Sequence, residues 1–185
     1  YKVFIENSGA VTVEVPVDKN DFQIDFDALE DAFSEKTAAV IINSPNNPTG
    51  AVLTEETLKK LGAFLSEKEQ KYDKEIYLIS DEPYRELVYD GVNVPYLTKY
   101  YANTVVGYSF SKSLSLPGER IGYLVIPDEA ADAAEIQAGA NVATRILGFV
   151  NAPSLMQKAV AKCLGAKADV PYYDRNREAI YEGLK

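Results

Sequence analysis

The chain has 185 residues, 46% of them hydrophobic and 25% charged, with a formal net charge of −9. That is enough apolar mass for a buried core, and too acidic for broad binding to nucleic acid or an anionic membrane surface. With no histidine and one cysteine, Ser-His-Asp and Cys-His catalysis and the usual zinc sites are excluded.

No apolar run approaches the roughly 18 residues of a membrane span, and nothing near Tyr1 reads as a signal peptide. The lone Cys163 has no internal disulfide partner and fits a reducing cytoplasm. The chain opens at Tyr1 and stops at Lys185 inside a helical pattern, so it is expected to be an excised piece of a longer protein.

Val11–Val15 alternates apolar and polar residues and predicts an outer strand, and Asp27–Phe33 predicts a short helix. Ala38–Ile42 is a continuous apolar run that ends in the turn-rich Ser44-Pro45-Asn46-Asn47-Pro48-Thr49-Gly50. Thr54 then caps a helix with Glu55 and Glu56 in its first turn, where the helix dipole favours them, and a buried stripe of Leu58, Leu61 and Leu65 with Phe64 beside it. The second run, Ile76–Ile79, stops at Asp81-Glu82-Pro83-Tyr84. The third, Thr104–Tyr108, runs into Ser109-Phe110-Ser111-Lys112, and the fourth is Ile121–Ile126. Asp128–Ala138 reads as a helix. Ser154 is expected to cap another, with the stripe Leu155, Met156, Ala159, Val160, Cys163 and Leu164, and a last helix begins near Tyr172 or Asp174. Apolar strands alternating with helices predict an α/β fold, a mostly parallel sheet flanked by helices.

In open parallel sheets, ligands bind at the carboxyl ends of the strands. Three polar clusters follow three successive apolar runs: Ser44–Gly50, Asp81–Tyr84 and Ser109–Lys112. Each alone is an ordinary turn. Together, on one rim, they gather an amine, a carboxylate, an amide, a phenol and hydroxyls, with Arg120 eight residues after Lys112. That set suits a phosphorylated aldehyde, pyridoxal 5′-phosphate. Lys112 forms the imine, Asp81 pairs with the pyridine nitrogen, and Tyr84 and Asn47 reach the ring hydroxyl. Ser109, Ser111 and Arg120 take the phosphate.

The ordered combination of Asn47-Pro48-Thr49-Gly50, Asp81-Glu82-Pro83-Tyr84 and Ser109-Phe110-Ser111-Lys112 followed by Arg120-Ile121-Gly122 resembles the class I/II aminotransferases, the aspartate aminotransferase family of fold-type I pyridoxal-phosphate enzymes. The resemblance covers nearly the whole chain. It implies that Lys112 is both Schiff-base lysine and acid/base, that Asp81 is the pyridinium partner, and that Asn47 lies near the substrate carboxylate. It also implies α-amino acid and 2-oxo acid substrates and a homodimer with its site at the interface. Residues 1–170 would then be part of the cofactor-binding large domain, and residues 171–185 the start of the helix leading toward a small domain. The family's upstream phosphate loop, its ring-stacking aromatic residue and its carboxylate-clamping arginine have no counterpart here. Arg145 reads as a solvated helix arginine or as a contact to a substrate side chain. The resemblance leaves open a lyase on the same scaffold, such as a carbon–sulfur β-lyase, and a non-catalytic regulatory module.

Overall fold

The computed structural model describes residues 1–185. Three of the apolar runs form parallel neighbours: β1 (Ala39–Asn43), β2 (Tyr77–Asp81) and β3 (Thr104–Ser109). The fourth, β4 (Gly122–Val125), turns back and pairs antiparallel with β3, giving the order β1-β2-β3-β4. The fold is thus α/β with a mostly parallel sheet. Register sets Asn43 beside Asp81, Asp81 beside Gly107, and Ser109 beside Gly122. The carboxyl ends of the parallel strands and the amino end of β4 therefore share one edge.

One face of this sheet is covered by α3 (Glu55–Tyr72). The Thr54 hydroxyl accepts the Thr57 N–H at 3.1 Å, as the cap reading requires. Leu58, Leu61 and Leu65 recur at helical spacing and are buried with Ile76, Leu78, Leu97 and Tyr101 in one core. Alongside runs α2 (Phe26–Ala32), capped by Asp25, which accepts from the Asp27 and Ala28 N–H groups. Phe26 and Phe33 meet Phe64 edge-on, and buried Lys68 of α3 pairs with Glu30 of α2.

The link from β2 to β3 contains no α-helix, only irregular turns and a 3-10 helix at Leu97–Lys99. Hydrogen bonds from Arg85 hold this strap in place. Its guanidinium donates to Glu82 at 2.7 Å and to the Val94 and Pro95 carbonyls at 2.8 and 2.7 Å, and it lies 4.0 Å from the Tyr96 ring centroid. Glu82 is buried and also accepts from Ser80 at 2.8 Å.

Several boundaries differ from the sequence expectation. Val11–Val15 is not a strand, because it has no partner to complete a ladder; the one bridge nearby joins Val17 to Ile24. Residues before it form a short helix, α1 (Lys2–Asn7). A one-turn helix, α4 (Phe110–Ser113), carries Lys112. The alanine-rich helix α5 spans Ala133–Ile146, later than Asp128–Ala138, because Asp132 at its start is left-handed (φ 52). In α6 (Ser154–Lys162) Ser154 is the first helical residue and caps nothing. Of its predicted stripe only Val160 is buried, while Leu155 and Leu164 are 73% and 71% exposed. The last helix, α7 (Val170–Leu184), starts before Tyr172, with Asp169 accepting the Tyr172 N–H. No helix is long and apolar enough to cross a membrane.

Candidate active site

The edge that register creates is where the polar clusters meet. The loop after β1 is folded by its own side chains: Asn46 accepts from the Thr49 hydroxyl at 2.8 Å, and Asn43 Oδ1 accepts the Asn47 N–H at 3.0 Å. Asn43 also reaches across to the next strand, where its Nδ2 donates to the Asp81 carbonyl at 2.8 Å. These bonds deliver Asn47 Nδ2 to the Tyr84 hydroxyl at 3.0 Å, so residues from the first and second clusters are in direct contact.

The third cluster arrives beside them. Lys112 is exposed, and its Nζ lies 5.8 Å from the Tyr84 ring centroid. Ser109 ends β3 and caps α4: its Oγ accepts the Ser111 N–H at 3.2 Å and bonds the Ser111 hydroxyl at 2.7 Å. Two hydroxyls thus converge at the foot of the helix turn that carries the lysine. Behind them the Tyr108 phenol donates to Glu86 at 2.9 Å and accepts from Ser113 at 2.7 Å, while its ring stacks on Tyr123 at 4.9 Å. Burial, with Glu86 alongside, pushes the Tyr108 phenol up to about 12.

Arg120 enters the same edge from the antiparallel side. A Cβ on Gly122 would lie 2.3 Å from the Tyr108 carbonyl oxygen, so only glycine lets β4 start this close to β3. Arg120 itself is left-handed (φ 49), and its guanidinium donates to the Pro117 carbonyl at 2.8 Å. The structure therefore brings Asn47, Asp81, Tyr84, Ser109, Ser111 and Lys112 together at one rim and places Arg120 at that rim with its side chain turned onto its own loop.

Two residues at this rim have no motif to announce them. Asn43 is the last residue of β1, just ahead of the polar loop. Tyr1 donates its phenol hydrogen to Asp81 Oδ2; burial and the Asp81 charge push that phenol above the usual tyrosine range. No local pattern could have linked residues so far apart. Arg145 lies near the end of α5, exposed and outside the cluster.

Asp81 and Ser109 also line an open cleft of about 560 Å³ between β3, β4 and α5, with Tyr108, Tyr123, Asn141 and Thr144 on its walls. A cleft of about 700 Å³ lies at the opposite end of the strands. Its Asn103 and Glu69 are bonded to each other at 2.7 Å, which makes that end structural in character.

The model of the family "Aminotransferase class I and II" matches residues 1–184. The chain belongs to this family. Among curated relatives, a probable aspartate/prephenate aminotransferase of Aquifex aeolicus is 41% identical over 66% of this chain and 31% of its own length. That of Thermus aquaticus is 31% identical over 100% of this chain and 47% of its own. Among solved structures, an amino transferase from Eubacterium rectale is 58% identical with a TM-score of 0.95, over 100% of this chain and 46% of that one. The aspartate aminotransferase from Thermus thermophilus with maleate is 28% identical with a TM-score of 0.74, over 100% and 47% respectively. This class I and II aminotransferase chain thus spans about half the length of these full-coverage relatives. Membership of the family implies pyridoxal phosphate, and the donor set fits that group: a lysine amine, a half-buried carboxylate, an amide–phenol pair and two converging hydroxyls face one edge.

Proposed function

We propose that the full-length protein is a pyridoxal 5′-phosphate-dependent aminotransferase that moves an amino group between an α-amino acid and a 2-oxo acid. The observation that carries this reading is the meeting of Asn47, Tyr84 and Lys112 beside Asp81 and Ser109 on one sheet edge. When bound, the cofactor supplies an electron sink for negative charge at the substrate α-carbon. The residues do the rest. Lys112 Nζ anchors the cofactor's aldehyde carbon. With substrate bound, the Lys112 amine would take the proton at the substrate α-carbon and return it, serving as both base and acid. Asp81 keeps the ring nitrogen protonated. Tyr84 and Asn47, already bonded to each other, hold the ring oxygen.

Ser109, Ser111 and Arg120 would hold the phosphate, Arg120 with the guanidinium donors that its bond to the Pro117 carbonyl leaves free. In this reading residues 1–170 belong to the cofactor-binding large domain, and residues 171–185 lead toward a smaller domain. The working form is a cytoplasmic homodimer.

The test is borohydride trapping with pyridoxal phosphate, followed by peptide mass mapping of the full-length protein. The label is expected on Lys112 and absent in Lys112→Ala. A panel of amino acids should yield 2-oxo acid and the cofactor amine; pyruvate with ammonia as the main products would indicate a lyase instead. Unimpaired transamination by Lys112→Ala would remove the reading.

A further inference from the structure

We infer that Tyr108 and Glu86 are positioning residues for Lys112: through Ser113 they brace the one-turn helix that carries the amine against the strap that carries Tyr84. This rests on the reading of Lys112 as the residue that takes the cofactor's aldehyde.

The helix α4 is four residues long. One turn has little stability of its own, because fixing its backbone costs more than its first hydrogen bond returns. Its closing bond is long: the Leu114 N–H reaches the Phe110 carbonyl at 3.3 Å. Beyond it Ser115 is left-handed (φ 54), so the chain turns away at once. The turn is therefore held by ties to its surroundings. Ser109 caps its amino end. At the other end the Ser113 hydroxyl donates to the Tyr108 phenol at 2.7 Å. Lys112 lies between these two ties, next to Ser113.

Tyr108 is a firm anchor. Its backbone pairs with Tyr123 in the β3–β4 ladder, and its ring stacks on Tyr123 and meets Phe110 edge-on at 5.2 Å. Its phenol donates in turn to Glu86 Oε1 at 2.9 Å. Glu86 stands two residues after Tyr84, in a strap that Arg85 fastens to Glu82 and to the Val94 and Pro95 carbonyls. A chain of carboxylate, phenol and hydroxyl thus joins the residues flanking Tyr84 and Lys112, whose side chains meet on the other side, Nζ lying 5.8 Å from the Tyr84 ring centroid. The second oxygen of Glu86, Oε2, is buried and has no partner in the chain. A buried acceptor left unpaired lowers stability. The placement of this carboxylate is thus explained by what its bonded oxygen holds in place rather than by its contribution to the core.

The test measures two quantities on the full-length apoprotein. The first is the rate of covalent capture of pyridoxal 5′-phosphate, in which the Lys112 amine adds to the aldehyde and water leaves as the C=N bond forms. Absorbance follows the rate, and borohydride trapping with peptide mapping confirms the site. The second is the dissociation constant of pyridoxamine 5′-phosphate, which has no aldehyde and binds without that bond. Tyr108→Phe, Ser113→Ala and Glu86→Leu are each expected to slow capture about tenfold, the scale of one hydrogen bond and of a small displacement of a reacting group. Affinity for pyridoxamine 5′-phosphate should stay unchanged. Glu86→Gln, which keeps an acceptor for the phenol, should capture at close to the wild-type rate. The Tyr108→Phe/Glu86→Leu double variant should be no slower than Tyr108→Phe, because Glu86 acts through the phenol. Wild-type capture in Tyr108→Phe overturns the inference, as does a Glu86→Gln variant as slow as Glu86→Leu. So does a loss of pyridoxamine 5′-phosphate affinity equal to the loss in rate, which marks general damage to the site. A wild-type label on a lysine other than Lys112 overturns the reading of Lys112 itself. If Tyr108→Phe or Glu86→Leu melts well below wild type, Ser113→Ala decides: slowed capture supports the inference and the wild-type rate overturns it.

Discussion

Two regions of this chain carry the same kind of apolar helix surface and meet different fates. Leu58, Leu61 and Leu65 of α3 are 2%, 0% and 0% exposed, pressed against the sheet. Leu155 and Leu164, at the start of α6 and just past its end, are 73% and 71% exposed, and Ile146, Leu147 and Phe149 at the end of α5 are 79%, 70% and 59% exposed. The periodicity of a stripe states that a face needs cover; it does not state what provides it. In the first region the cover is β1, β2 and α2. In the second, nothing within these 185 residues closes over the stripe, and the chain spans about half the length of the full-coverage relatives it matches.

The contrast can be broken by unfolding measurements. Leu61→Ala should lower stability by about 2–5 kcal/mol in urea denaturation, the cost of a cavity in a packed core. Leu155→Ala should change it by no more than about 0.5 kcal/mol. Similar losses at the two sites would erase the distinction.

Glycines offer a sharper version. A Cβ on Gly62 of α3 would stand 2.3 Å from the Tyr100 carbonyl oxygen, whereas one on Gly139 of α5 meets nothing within 4 Å. Gly62→Ala should therefore cost about 1–3 kcal/mol through overpacking. Gly139→Ala should stabilise by about 0.5–1 kcal/mol through helix propensity. Opposite signs in thermal melts are the expected result.

The smallest effect concerns alkaline stability. Tyr108, half-buried on β3, has its phenol raised to about 12 from the ordinary 10. Between those values the unfolded chain has lost a proton that the folded chain keeps. Its contribution is thus complete below about pH 10 and fades as pH rises through about 12. Tyr108→Phe should flatten the decline of stability measured over that window.

What could be read in advance follows from the same physics. β1, β2 and β3 were legible because strands buried between neighbours are continuous apolar runs, and the rim was legible because parallel strands must end together. Val11–Val15 misled because alternation describes a strand's faces and not its partner. Helix onset at Ala133 was missed because Asp132 adopts a left-handed backbone that composition does not reveal. At the site, Asn47, Tyr84 and Lys112 could be grouped from spacing. The orientation of Arg120 could not, since a flexible guanidinium chooses among nearby carbonyls. Asn43 and Tyr1 stayed hidden because their partners lie 38 and 80 residues away.

The backward run of β4 has one more implication. Lys112 and Arg120 both stand in the connection between β3 and β4, whose two ends are clasped where Ser109 faces Gly122. The spacing between amine and guanidinium is therefore a local dimension, insulated from twisting or sliding elsewhere in the sheet. Insertions should be tolerated in the strap between Glu86 and Tyr96 far better than in the few residues from Ser113 to Glu119, where each added link would pull the two side chains out of step.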